Sequence, residues 1–126
     1  MSRCVAALAL ASALATPAFA QSPRPFPATA LRGELVVTQP PAVLLNGQPA
    51  RLAPGARIRG ENRLIVLSGE LVGRTLTVNY TREPLGELFD VWVLTADEAS
   101  RQPWPETPEQ AARWSFDPVA QTWSRR

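Results

Sequence analysis

The chain of 126 residues contains no histidine and no lysine, and its one cysteine is Cys4. With no imidazole and a single thiol, the usual zinc sites cannot be assembled. Ser-His-Asp and Cys-His machinery is excluded for the same reason. The absence of lysine removes Schiff-base chemistry and the phosphate-binding P-loop. What survives is carboxylate chemistry, calcium or magnesium held by carboxylates, or simple binding. No cofactor and no metal site is expected. There is no internal repeat, and after residue 20 no apolar run approaches the ~20 residues needed to span a bilayer.

What is present begins with an export signal. Arg3 supplies a positive start, and CVAALALASALA is an apolar, helix-prone run of residues 4–15. Thr16-Pro17 breaks it, and Ala18-Phe19-Ala20 has small residues where a signal peptidase needs them. Residues 1–20 are therefore expected to be a cleaved signal peptide, leaving 106 residues that start at Gln21. Cys4 leaves with the signal, so an exported protein that could use disulfides has none and relies on its apolar core. A chain of this length suits one domain. All 13 basic residues are arginine. Arginine with abundant alanine and proline fits a GC-rich bacterial genome, and the expected location is the periplasm or the extracellular space.

Charge is nearly balanced but unevenly spread. Residues 51–82 carry Arg51, Arg57, Arg59, Arg63, Arg74 and Arg82 against Glu61 and Glu70. Residues 83–117 carry eight acids against Arg101 and Arg113. Either the two segments pair within the fold, or the first is a basic face for an anionic partner. No aromatic residue interleaves with the basic segment before Tyr80, which argues against nucleic acid.

The chain reads as a succession of short strands. QSPRPFPATA (21–30) is a Pro-rich extended leader, and the fold proper is expected from Leu31. Leu31–Thr38 is a first strand, ended by Gln39-Pro40-Pro41. Asn46-Gly47 between apolar runs predicts a tight type I′ hairpin over Ala42–Leu52. Pro54-Gly55 is expected to turn, and Ala56–Arg59 to place Ile58 inward and Arg57 and Arg59 outward. RLIVL (63–67) is expected to be a strand covered on both faces. TLTVNYT (75–81) alternates. LFDVWVL (88–94) is expected to set Phe89, Val91 and Val93 against Leu88, Trp92 and Leu94. Residues 31–95 thus predict a mostly β fold, a small antiparallel β-barrel or a compact sandwich.

Residues 96–126 form a Trp/Pro-rich extension of short helices and a hairpin. Thr95 and Glu98 make a capping box that opens a short helix. Thr107-Pro108 opens a second, with proline at its first position. Neither is long enough to stand alone, so both must dock on the barrel. Asp117-Pro118 starts a terminal hairpin with Trp123 on its return arm. FDPVAQTW resembles, over that hairpin alone, the D-P-x-x-x-x-W turn of a kelch blade.

The phrases LRGELVVTQPPAVLLNGQPARLAPGARIRG, VNYTREPLGELFDVWVLT and RWSFDPVAQTW lie between Phe26 and Trp123. In them the chain resembles a family of small secreted proteobacterial proteins without assigned function. The resemblance implies export and one β-domain, and transfers no site residue.

Three groups are candidate sites. Arg57 and Arg59 could meet phosphates or other anions, or could be a solvated strand face or pair with the acidic segment. Trp104, Trp114 and Trp123 could form a sugar-stacking platform, or could staple the extension to the barrel. Tyr80 and Asp90 could make a polar cluster with a raised carboxyl pKa, or Asp90 could be structural, paired with an arginine such as Arg82. The expected function is that of an exported, non-enzymatic interaction module for a protein or an anionic envelope component. The alternative is a small carboxylate-dependent, glycan-acting enzyme, which takes two facing carboxyl groups ~5–10 Å apart.

Overall fold

The computed structural model describes residues 23–126. The expected signal peptide lies outside the described residues. Five strands form the barrel: β1 (Leu31–Val37), β2 (Ala42–Leu45), β3 (Gln48–Arg59), β4 (Thr75–Arg82) and β5 (Leu88–Val93). They close in the order β1-β2-β3-β5-β4. The β3/β5 pair is parallel and the other pairs are antiparallel. This five-stranded Greek-key arrangement is known as the OB-fold. The expected barrel is present, with one parallel pair in place of a fully antiparallel wall.

Alternation explains the interior. Leu31, Leu35 and Val37 of β1 point inward with Val43, Leu45, Leu76, Val78, Tyr80, Val91 and Val93. Gly33 falls in the same row because nothing larger fits: a Cβ there would lie 2.9 Å from Leu45 Cδ1 and 3.0 Å from Tyr80 Cε1. Asn46 and Gly47 take φ of 52° and 77°, as the predicted type I′ turn requires. The Asn46 side-chain oxygen accepts from the Glu34 amide and ties the turn to β1.

Three local expectations are corrected. Pro54-Gly55 does not end a strand: β3 runs on, with Gly55 at φ 80° and a register shift between Leu52 and Arg57. RLIVL is not a covered strand. Arg63 turns the chain at φ 69°, β3 takes β5 as its neighbour, and only a bridge from Ile65 to Arg59 remains. A 3₁₀ turn, Ser68–Leu71, follows and buries Leu71 in the barrel. In β5, Tyr80 pairs with Val91 but Arg82 pairs with Leu88, so Phe89 and Asp90 bulge opposite Thr81. The extra residue turns Leu88 into the interior beside Val91, away from Trp92.

The C-terminal extension folds as its caps predict. Helix α1 (Ala96–Ala99) starts from a complete Thr95/Glu98 capping box. Helix α2 (Pro108–Arg113) starts from the Thr107 hydroxyl, which accepts from the Gln110 amide. Strands β6 (Trp114–Asp117) and β7 (Thr122–Arg125) form the hairpin, its turn held by amides of Val119 and Ala120 donating to the Asp117 carboxylate. A second core joins this layer to the barrel wall. It contains Phe26, Ala30, Leu94, Trp104 and Trp123, flanked by Trp92, Trp114 and Phe116.

The leader makes no strand pairing, but the fold begins before Leu31. Arg24 is 6 % exposed. Its Nε and Nη2 donate to the two Glu98 carboxylate oxygens at 2.8 and 2.6 Å, and its other bonds go to the Gly60 and Val93 carbonyls. Phe26 packs edge-on against both Trp92 and Trp104. Burial alone would push the Glu98 carboxyl up, but bonds from Arg24 and Thr95 hold it below the usual carboxylate range. Leader and extension together cover the outer side of β1, β4 and β5, where Arg32, Asn79 and Trp92 lie.

Candidate functional site

At the barrel end that Leu71 plugs, the loop between β3 and β4 carries RLIVL at the surface. Leu64, Ile65 and Leu67 are 65 %, 60 % and 69 % exposed, and Val72 projects beside them. Among the described residues these are four of the six exposed large aliphatics; the others, Leu85 and Val119, lie elsewhere. Single exposed leucines are ordinary, but a cluster on one loop is the informative case. Behind it lies a groove of about 340 Å³ between Pro40-Pro41, the bend of β3 and Ile65–Leu67, and no charged residue lines it.

The two predicted arginines of β3 have different fates. Both point outward, as alternation requires. Arg59 donates to Asp90 Oδ1 at 3.2 Å and lies 5.8 Å from the Trp92 ring centre, so it is spent within the fold. Arg57 is exposed, on the strand that forms one wall of the apolar groove. Arg59–Asp90 is also an ion pair between the basic and acidic segments, so part of the charge complementarity is internal.

Tyr80 and Asp90 are not brought together. Tyr80 is buried inside the barrel, paired with Val91 and covered by the Arg82 guanidinium 5.6 Å from its ring centre. Asp90, one residue from Val91, faces outward to Arg59. Its backbone amide donates to the Thr81 hydroxyl. Asp90 is the structural aspartate, with Arg59 rather than Arg82 as its partner.

The tryptophans are brought together. Trp104 and Trp123 are buried, 6.1 Å apart at their ring centres, and the Trp104 indole donates to the Ala30 carbonyl at 3.0 Å. They are staples, and their faces are not offered to solvent as an open platform. Trp114 is half-buried, with the Arg125 guanidinium 5.3 Å from its ring centre. All three line a groove of about 810 Å³ with Arg32, Glu106 and Arg125.

Arg32 was not singled out by the sequence, where it reads as one outward residue of β1. It is 9 % exposed. Its Nε donates to Asn79 Oδ1, Nη1 to the Ala99 and Arg101 carbonyls, and Nη2 to the Glu98 carbonyl. Its guanidinium lies 5.0 Å from the Trp104 ring centre. Burial lowers its pKa to about 10. Among the described residues no carboxylate forms an ion pair with it.

The apolar end was equally illegible. A five-residue apolar run between turn signals reads the same whether it is a buried strand or an exposed loop. Among the described residues no helix is long and apolar enough to cross a membrane, and no group of three acids assembles that could hold a metal. The chain matches no protein-family model, no curated protein and no solved structure.

Proposed function

We propose that this chain is an exported, non-enzymatic interaction module that binds a protein or an anionic envelope component through its apolar barrel end. The carrying observation is the exposed run Leu64, Ile65 and Leu67, of which Ile65 and Leu67 line an apolar groove, with Arg57 on the adjoining strand. Full burial of one such side chain is worth about 1.5–3 kcal/mol. With roughly two-thirds of each still exposed, covering Leu64, Ile65 and Leu67 returns about 3–6 kcal/mol of gross transfer free energy, which offsets part of the cost of association and ordering. In five-stranded barrels of this architecture the face of the second and third strands and the adjoining loops is a common docking surface, an argument from analogy that names no ligand.

For the enzymatic alternative, Asp90 is engaged by Arg59 and the groove beside the tryptophans holds one carboxylate, Glu106, where glycan hydrolysis takes two; the second groove, of about 730 Å³, is lined by Glu61 and Glu70.

The test compares wild-type protein with a Leu64→Ser/Leu67→Ser variant, each immobilised and exposed separately to soluble envelope proteins and to envelope lipid and polysaccharide. Wild type should retain one defined component that the variant releases. Equal retention by both proteins would remove the apolar end from the account.

A further inference from the structure

The tryptophan groove raises a separate question, because its surroundings contain more buried donors than acceptors. Among the described residues, three buried side-chain nitrogens have no hydrogen-bond partner: Asn79 Nδ2, Arg101 Nη1 and Trp123 Nε1. All three are donors. Trp123 lines the groove with Arg32, Asn79 accepts from Arg32 Nε through its side-chain oxygen, and Arg101 accepts from Arg32 Nη1 through its backbone carbonyl while its own guanidinium pairs with Asp97. A guanidinium has five N–H donors, and four of those of Arg32 are engaged, leaving one on Nη2. Its direct partners are carbonyls and an amide, and the nearby charges of Glu98 and Glu106 offset its burial only in part. A buried donor without an acceptor is costly.

We infer that the groove binds a carboxylated pyranose unit, with its carboxylate at Arg32 and Arg125 and its ring against Trp114. Both arginines line one cavity: Arg32 offers a carboxylate its one free Nη2 N–H, and Arg125, which forms no ion pair among the described residues, supplies the further charge-assisted bonds. A bare inorganic ion would leave the aromatic lining unused. At about 810 Å³ the groove lies within the range of small-ligand sites, well beyond the space of a single ion. A pyranose supplies what tryptophan accepts, an apolar face with hydroxyls at its edge. Glu106 and the Gln110 side chain line the same groove and offer partners for those hydroxyls. The site is distinct from the apolar barrel end and stands or falls without it.

The experiment is calorimetric titration of the exported chain with galacturonate tetrasaccharide, galacturonate monomer, a neutral cello-oligosaccharide of equal length, and inorganic phosphate. Arg32 holds three carbonyls, so its replacement would test folding together with binding. Arg125→Gln and Trp114→Ala act at the rim and leave that clamp intact. The uronate should bind, at least tenfold more weakly in each rim variant, and more weakly as salt rises. Equal affinity for monomer and tetramer assigns the site to a free sugar acid; tighter binding of the tetramer assigns it to a polymer. The proposal is overturned if no uronate binds, if the neutral sugar binds as well, if phosphate competes as strongly as the uronate, or if both rim variants bind like wild type. The Leu64→Ser/Leu67→Ser variant should bind uronate normally, which separates this site from the proposed docking end.

Discussion

Replacing Arg24 by methionine tests whether the leader is part of the fold. The substitution keeps much of the side chain's length but removes the guanidinium. It leaves the Glu98 carboxylate buried without its cation and unpairs the Gly60 and Val93 carbonyls. Breaking a buried pair from one side costs about 3–5 kcal/mol, against a typical total stability of about 5–15 kcal/mol. For a domain of this size each kcal/mol moves the melting midpoint by about 4–8 °C, so the midpoint should fall by at least about 12 °C. Urea unfolding followed by tryptophan fluorescence gives the free energy, and a cycle with Glu98→Gln isolates the pair. The double variant should lose clearly less than the sum of the single losses. A loss below about 1 kcal/mol for Arg24→Met, the scale of an exposed pair, would refute the reading of residues 23–30 as a structural strap.

Other expectations follow from the same contacts. Because the Glu98 carboxyl is held below its ordinary value, its stabilisation is complete above the unfolded pKa of about 4.3 and is lost as pH falls through the lower folded value. Acid titration of stability should show that loss in wild type, and Glu98→Gln should flatten it. Trp104→Ala empties the centre of the second core and should cost about 3–5 kcal/mol, read by urea unfolding. Gly33→Ala forces a methyl group against Leu45 and Tyr80 and should cost about 1–3 kcal/mol; a neutral result would mean that β1 does not pack as closely as described. Leu64→Ser/Leu67→Ser should change stability by no more than about 0.5 kcal/mol per site, since both side chains face solvent.

Local signals were legible where one or two residues decide the conformation. Asn46-Gly47 gave its turn, Thr95/Glu98 and Thr107-Pro108 gave both helix starts, and Asp117-Pro118 gave the terminal hairpin. Apolar alternation marked β1, β4 and β5 and the Asn46-Gly47 hairpin marked β2 and the start of β3, but β3 was divided at Pro54-Gly55 and a strand was expected at 63–67 that is absent. Features set by distant partners did not show. The bulge at Phe89-Asp90 depends on the register of β4 against β5, and it decides that Leu88 points inward. The leader has no periodicity, and its place comes from distant partners: Arg24 to Glu98 across 74 positions, and Phe26 against Trp92 and Trp104. RLIVL reads as core by composition, but barrel closure through the parallel β3/β5 pair leaves it outside. Of the candidate sites, Trp104, Trp114 and Trp123 lie together along one groove. Tyr80 and Asp90 were separated because one faces the barrel interior and the other its outer side. Arg32 was missed because its burial depends on a C-terminal layer that β1 alone does not reveal.

The proposed docking end is tested most directly by photo-crosslinking in cells that produce the protein. A photoreactive residue is placed at position 65 on the apolar loop, and in a second protein at position 119, where Val119 is equally apolar and exposed but lies on the terminal hairpin. A discrete adduct at 65 that is lost in Leu64→Ser/Leu67→Ser, with none at 119, is the predicted result. An adduct at 119 without one at 65, or no adduct at either position, would contradict the assignment of the apolar barrel end as the binding surface.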